Sequence, residues 1–80
     1  MKLNVKYFAS LREKAAKSNE EILIEEGKTP KDVYLELSAR YGFPLSANEI
    51  KFSVNNEYVE PSVRLKENDL LVFIPPVAGG

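Results

Sequence analysis

"KENDLLVFI" (Lys66–Ile74) runs a polar turn into five consecutive apolar residues, and its reading decides the fold. An apolar run of strand length without alternation marks a strand covered on both faces, the most buried in the chain. Alternation within it puts Leu71 and Phe73 on one face and Leu70, Val72 and Ile74 on the other. The rest of the chain must supply neighbours for this strand and cover for its faces.

The neighbours are legible upstream. "KLNVKYF" (residues 2–8) sets Leu3, Val5 and Tyr7 against Lys2, Asn4, Lys6 and Phe8, the period-2 pattern of a half-buried strand. "SLREKAAK" (residues 10–17) offers Ser10 as N-cap with Glu13 three residues on, the capping-box spacing, and predicts a helix of about two turns. "EEILIEE" (residues 20–26) is strand-like, with Ile22 and Ile24 facing together and Gly27 closing it, and is expected to pair with the first strand. "KFSVNNEYV" (residues 51–59) gives two short strands through a tight Asn55-Asn56 turn.

The cover comes from "TPKDVYLELSARYG" (residues 29–42). Thr29 as N-cap, Pro30 at the first helical position, Asp32 in the first turn and Gly42 past the end bound a main helix. Val33, Leu37 and Tyr41, with Pro30 and Tyr34 beside them, form one apolar stripe that needs a sheet to lie on. The order of elements predicts an α+β fold: a mixed sheet of about five strands with one main helix packed across one face.

One helix covers one face, so one set of the last strand's side chains lacks cover from this chain. Either a segment such as "EYVEPSV" (residues 57–63) folds over that second face, or a partner protein does. Phe8, left among the polar set of the first strand, favours the partner.

Composition narrows the function. Eighty residues without cysteine or histidine exclude disulfides, thiolate chemistry, zinc sites built on those ligands and Ser/His or Cys/His catalytic pairs. No metal site is expected. Net charge is -1, with five basic and one acidic residue in positions 1–18 and six basic and eleven acidic in the remainder. That balance argues against nucleic acid and leaves room for a charge-steered protein partner. No apolar run is long enough to span a membrane, and the alternating start is unlike a secretory signal, so a soluble, cytoplasmic protein is expected. Glu20-Glu21 and Glu25-Glu26 could suggest paired catalytic carboxylates, but strand neighbours point to opposite faces, so they are expected to be solvent-exposed charge.

After Ile74 the chain reads "PPVAGG" (residues 75–80). Pro75 and Pro76 cannot donate ladder hydrogen bonds and hold the following residues in an extended course. The division expected is a folded domain over 1–74 and an extended, flexible tail over 75–80. Six residues at about 3.3 Å each would carry the last carboxylate on the order of 20 Å from the sheet. Gly79 and Gly80, lacking Cβ atoms, suit a narrow channel in another protein. The reactive group would be the α-carboxylate of Gly80, activated by transfer of AMP from ATP on a partner, because this chain has no phosphate-binding loop of the GxxxxGK[ST] type.

The strand and helix order, ending in "VFIPPVAGG", resembles the small, sulfur-carrying subunits of molybdopterin synthase, ubiquitin-like β-grasp proteins of the MoaD/ThiS superfamily. "YFASLRE" after the first strand and "VNNEYV" in the hairpin resemble further pieces of that pattern. The resemblance implies a carrier without catalytic residues of its own. A ubiquitin-activating-like adenylyltransferase would adenylate Gly80, and a sulfur donor protein would convert it to a thiocarboxylate. The tail, Pro75, Pro76, Val77, Ala78 and Gly79, would then enter the synthase large subunit in a heterotetramer of two small and two large subunits. The sulfur would pass to cyclic pyranopterin monophosphate. ATP is used by the activating partner, and no cofactor is bound by this chain.

The same resemblance assigns Phe8, Val72 and Ile74 to the partner face and Leu71 and Phe73 to the core. It places Arg12 against an acidic partner surface, with a solvated helix charge as the alternative. Related carriers serve thiamine thiazole, cysteine or thiolated tRNA bases, and ubiquitin-like modifiers are joined to proteins through their last glycine. These remain the competing readings.

Overall fold

The computed structural model describes residues 1–76; Val77, Ala78, Gly79 and Gly80 lie outside the described residues, and so do the expectations placed on them. The elements are β1 (Lys2–Lys6), α1 (Ala9–Ala15), β2 (Asn19–Leu23), α2 (Pro30–Tyr41), a 3₁₀ turn (Ala47–Glu49), β3 (Lys51–Val54), β4 (Glu57–Val59) and β5 (Leu70–Ile74). They form one mixed five-stranded sheet in the order β2-β1-β5-β3-β4. The α+β architecture expected from the sequence is therefore present. β5 is central, parallel to β1 and antiparallel to β3.

Register fixes the faces. Val5 pairs with Leu71, and Phe52 with Phe73, so these side chains point together toward α2. Leu3, Val5, Leu71, Phe73, Val33, Tyr34 and Leu37 are all essentially fully buried. Tyr34 of α2 meets the Phe73 ring edge-on at 5.1 Å, and Phe52 meets it at 5.8 Å. The Tyr34 hydroxyl donates to the Leu45 carbonyl at 2.8 Å, so the buried ring leaves no polar atom unpaired.

The main helix ends where its sequence says it should. Thr29 Oγ1 accepts from the Asp32 amide at 3.2 Å and Asp32 Oδ2 accepts from the Thr29 amide at 3.1 Å, a reciprocal cap. At the other end Gly42 takes φ 72°, a left-handed angle that suits glycine, and its N–H donates to the Ser38 carbonyl. The hairpin turns through Asn55 and Asn56 at φ 52° and 72°, as their sequence predicts.

Two expectations are corrected, and one alternative is set aside. Ser10 does not cap α1. The helix starts at Ala9, two residues before the start that a Ser10 cap implies, after an extended Phe8 that has no side-chain cap; Leu11 and Ala15 are buried and Ser10 lies in the first turn. Glu20 is not solvent-exposed charge. It shares the inner face with Ile22, and its carboxylate accepts from the Tyr7 hydroxyl at 2.5 Å and the Tyr41 hydroxyl at 2.7 Å, with Lys17 Nζ at 3.4 Å. Nor does the segment after β4 cover the second face of the sheet. The Pro61 carbonyl accepts from Lys31 and the Leu65 amide donates to Lys28, which ties that segment to the helix side, where Leu65 is buried. On β5, Leu71 and Phe73 are sealed on the inner face; on the outer face Val72 is also buried, at 8% exposure, while Leu70 and Ile74 at its ends are half-buried.

Partial burial alone would raise the Glu20 carboxyl, but the hydrogen bonds from Tyr7, Tyr41 and Lys17 outweigh it and hold the pKa below the usual carboxylate value. Tyr7 is pushed well above its ordinary value, first by burial and then by the Glu20 carboxylate. No helix of the described residues is long and apolar enough to cross a membrane.

Candidate functional site

The outer face of the sheet, away from α2, is built by register. Across the strands one row runs Asn19, Lys6, Val72, Ser53, Tyr58, and the next row holds Ile74 beside Lys51. Val72 forms the floor of a shallow depression of about 310 Å³, with Lys6, Phe8, Tyr58, Leu70 and Ile74 around it. Phe8 and Tyr58 are large apolar groups left 41% and 73% exposed, far more than a core ring would be.

A second, more apolar groove of about 730 Å³ adjoins the first where β5 ends. Ile74, Pro75 and Pro76 run along it, Phe8, Ala9 and Ser10 at the start of α1 form one wall, and Leu45 forms another. Its described lining carries no charged side chain. Phe8 and Ile74 line both hollows, so the outer face and the groove are one continuous apolar surface ending where the chain leaves the sheet. Phe8 is held there by the α1 start: the Leu11 and Arg12 amides donate to its carbonyl at 3.1 and 3.3 Å, and the next residue, Ala9, takes φ 50°.

Of the residues singled out in the sequence, Phe8, Val72, Ile74, Pro75 and Pro76 meet at this surface. Arg12 does not line either hollow; it is exposed on α1 and makes no ion pair with another described residue. Gly80, Gly79, Ala78 and Val77 lie outside the described residues. Leu45 and Tyr58 escaped the sequence reading. Leu45 sits in a loop, "FPLS" (residues 43–46), where no periodicity reports on facing, and its signal is tertiary. Tyr58 could have been found from hairpin parity, since it pairs with Ser53 and so shares the face of Val72.

The surface has the chemistry of a docking face: apolar rings and aliphatic side chains where the chain leaves β5, with no cluster of three or more potential metal-ligating side chains among the described residues. The model of the ThiS family matches residues 5–80. The molybdopterin synthase sulfur carrier subunit of Chlamydomonas reinhardtii is 32% identical over 85 residues, covering 100% of both chains. The putative molybdopterin converting factor subunit 1 of Pyrococcus furiosus is 31% identical, superposes with a TM-score of 0.81, and the match covers 96% of this chain and 99% of that one. SAMP1 of Haloferax volcanii shares the fold, with a TM-score of 0.81 over 100% of both chains at 21% identity. The chain therefore belongs to the ThiS family and is a sulfur carrier of the MoaD/ThiS type with the ubiquitin-like β-grasp fold.

Proposed function

We propose that this chain is the small, sulfur-carrying subunit of a molybdopterin synthase. The observation that carries the reading is its end-to-end similarity to a molybdopterin synthase sulfur carrier subunit, with matching length. The apolar surface that meets Pro75 and Pro76 supports it, because it gives a partner something to hold beside the tail.

The chemistry follows from the terminus. The Gly80 carboxylate attacks the α-phosphorus of ATP on an adenylyltransferase, pyrophosphate leaves, and an acyl-adenylate remains. A donor sulfur at the sulfide level attacks the carbonyl carbon, AMP departs, and a thiocarboxylate results. On the large subunit that sulfur attacks a carbon of cyclic pyranopterin monophosphate; the carbon–oxygen bond there breaks, and the oxygen leaves with the electron pair and takes up a proton. Water cleaves the resulting thioester. Sulfur stays on the acceptor and Gly80 regains its carboxylate. Acid, base and substrate-anchoring groups belong to the large subunit, which is expected to bind two such carriers in a heterotetramer with two large subunits. Phe8, Val72 and Ile74 hold the docked body while Pro75 and Pro76 direct the tail.

Reconstitution with the large subunit tests this. The chain preloaded as thiocarboxylate converts the pterin precursor to molybdopterin, and deleting Gly80 or adding one residue after it abolishes conversion while leaving the fold unchanged. Retained synthesis after either change overturns the proposal. Ladders of larger conjugates through Gly80 in cells would instead support a protein modifier, and sulfur delivered only to thiazole, cysteine or tRNA would move the carrier to another pathway.

A further inference from the structure

The outer face carries a charge pattern with no counterpart in the tail chemistry. Lys6 pairs with Val72 and Lys51 with Ile74, from opposite sides of β5. Paired residues share a face, so Lys6 and Lys51 stand on either side of the apolar strip with their Cα atoms on the order of 10–12 Å apart. Lys6 borders the first hollow, and Lys51 borders a neighbouring one that Tyr58 and Glu60 also line. Both lysines are exposed. Neither makes an ion pair with another described residue; Lys6 stands instead over the Phe8 ring at 5.3 Å. At the paired positions of this face the one carboxylate is Glu21, and Lys2 lies 3.8 Å from it.

We infer that Lys6 and Lys51 select the docking partner by its charge: the face fits a protein surface whose apolar protrusion, seated on Phe8, Val72 and Ile74, is flanked by two carboxylates. An apolar centre supplies affinity, and charges at its rim set encounter rate and reject like-charged surfaces. A partner lacking those carboxylates would leave two lysines bracketing its apolar contact without counter-charge. Arg12 lies outside this arrangement.

The identity of the partner rests on the proposed function, so the experiment separates the two. The full chain is titrated against the molybdopterin synthase large subunit of the same organism at about 0.05 M and about 0.5 M salt, a range over which rim charges become screened. The wild type binds more weakly at high salt. Lys6→Glu/Lys51→Glu weakens binding about 30-fold or more at low salt and reverses the salt dependence, because screening then relieves a repulsion; Lys6→Gln/Lys51→Gln weakens binding less and removes most of the salt dependence, and Lys31→Glu, on α2, is unchanged. All three variants alter exposed side chains and keep the wild-type denaturation midpoint. Wild-type binding that the charge reversal changes less than twofold overturns the inference and leaves the function standing. If the wild type does not bind the large subunit, the proposed function fails, and the same titration against the adenylating enzyme decides: lysine-dependent binding upholds the inference, whereas lysine-independent binding or none overturns it.

Discussion

Phe73 and Ile74 are consecutive in β5 yet serve opposite sides of the sheet: Phe73 is sealed against Tyr34 of α2, whereas Ile74 is half-buried beside Phe8 on the outer face. Phe73→Ala removes a fully buried ring and is expected to cost about 3–5 kcal/mol. Ile74→Lys keeps most of the stability, within about 1.5 kcal/mol, but abolishes docking to the large subunit. Urea denaturation and a binding titration on both variants check the division; an unfolded Ile74→Lys variant would place that residue in the core.

Phe8→Ala separates docking from folding at the start of α1. The ring is 41% exposed and lines both apolar hollows, so its loss is expected to cost about 1 kcal/mol of stability or less but weaken partner binding at least tenfold. The opposite pattern, a large loss of stability with binding unchanged, would remove Phe8 from the interface.

Glu20 ties β2 to Tyr7 at the end of β1 and to Tyr41 at the end of α2. Glu20→Ala deprives two tyrosine hydroxyls of their acceptor and is expected to cost about 1–3 kcal/mol near neutral pH. The folded pKa of Glu20 is depressed, so its contribution is complete above the ordinary carboxylate value of about 4.3 and drains away as pH falls through the lower folded value. The gap between wild type and Glu20→Gln in urea midpoints should therefore narrow on going from pH 7 to below the folded value. Tyr7, raised in the folded state, acts in the opposite direction: its contribution is full below the ordinary tyrosine value of about 10 and is lost as pH rises beyond it.

The cap on α2 is the simplest local test. Thr29→Ala removes the acceptor for the Asp32 amide and should cost about 1 kcal/mol, with docking unaffected because Thr29 lines neither hollow. A midpoint unchanged in urea would mean that water replaces the cap at no cost.

Strand order aside, most of the fold was readable because its signals are local. The Thr29 to Gly42 boundaries and the Asn55-Asn56 turn follow from backbone preferences, and the parity of β5 separated Phe73 from Ile74. What failed depended on contacts distant in sequence. Ser10 has the right spacing for a cap, but the helix starts at Ala9, with Leu11 and Ala15 buried. Glu20 looked like surface charge because its hydroxyl partners lie 13 and 21 residues away. Leu45 lines the groove from a loop whose carbonyl accepts from Tyr34, 11 residues away. Lys6 was already legible on the face of Phe8, but its bracketing relation to Lys51 needed the strand register.

The central claim is that Gly80 carries sulfur, and intact-mass measurement of the protein isolated from its native host under conditions of active cofactor synthesis tests it most directly. The expected result is a fraction of the protein heavier by the exchange of one oxygen for sulfur, localised to the C-terminal glycine by fragmentation and absent when the adenylating enzyme is removed. A terminus that stays entirely carboxylate in cells making molybdopterin would contradict it.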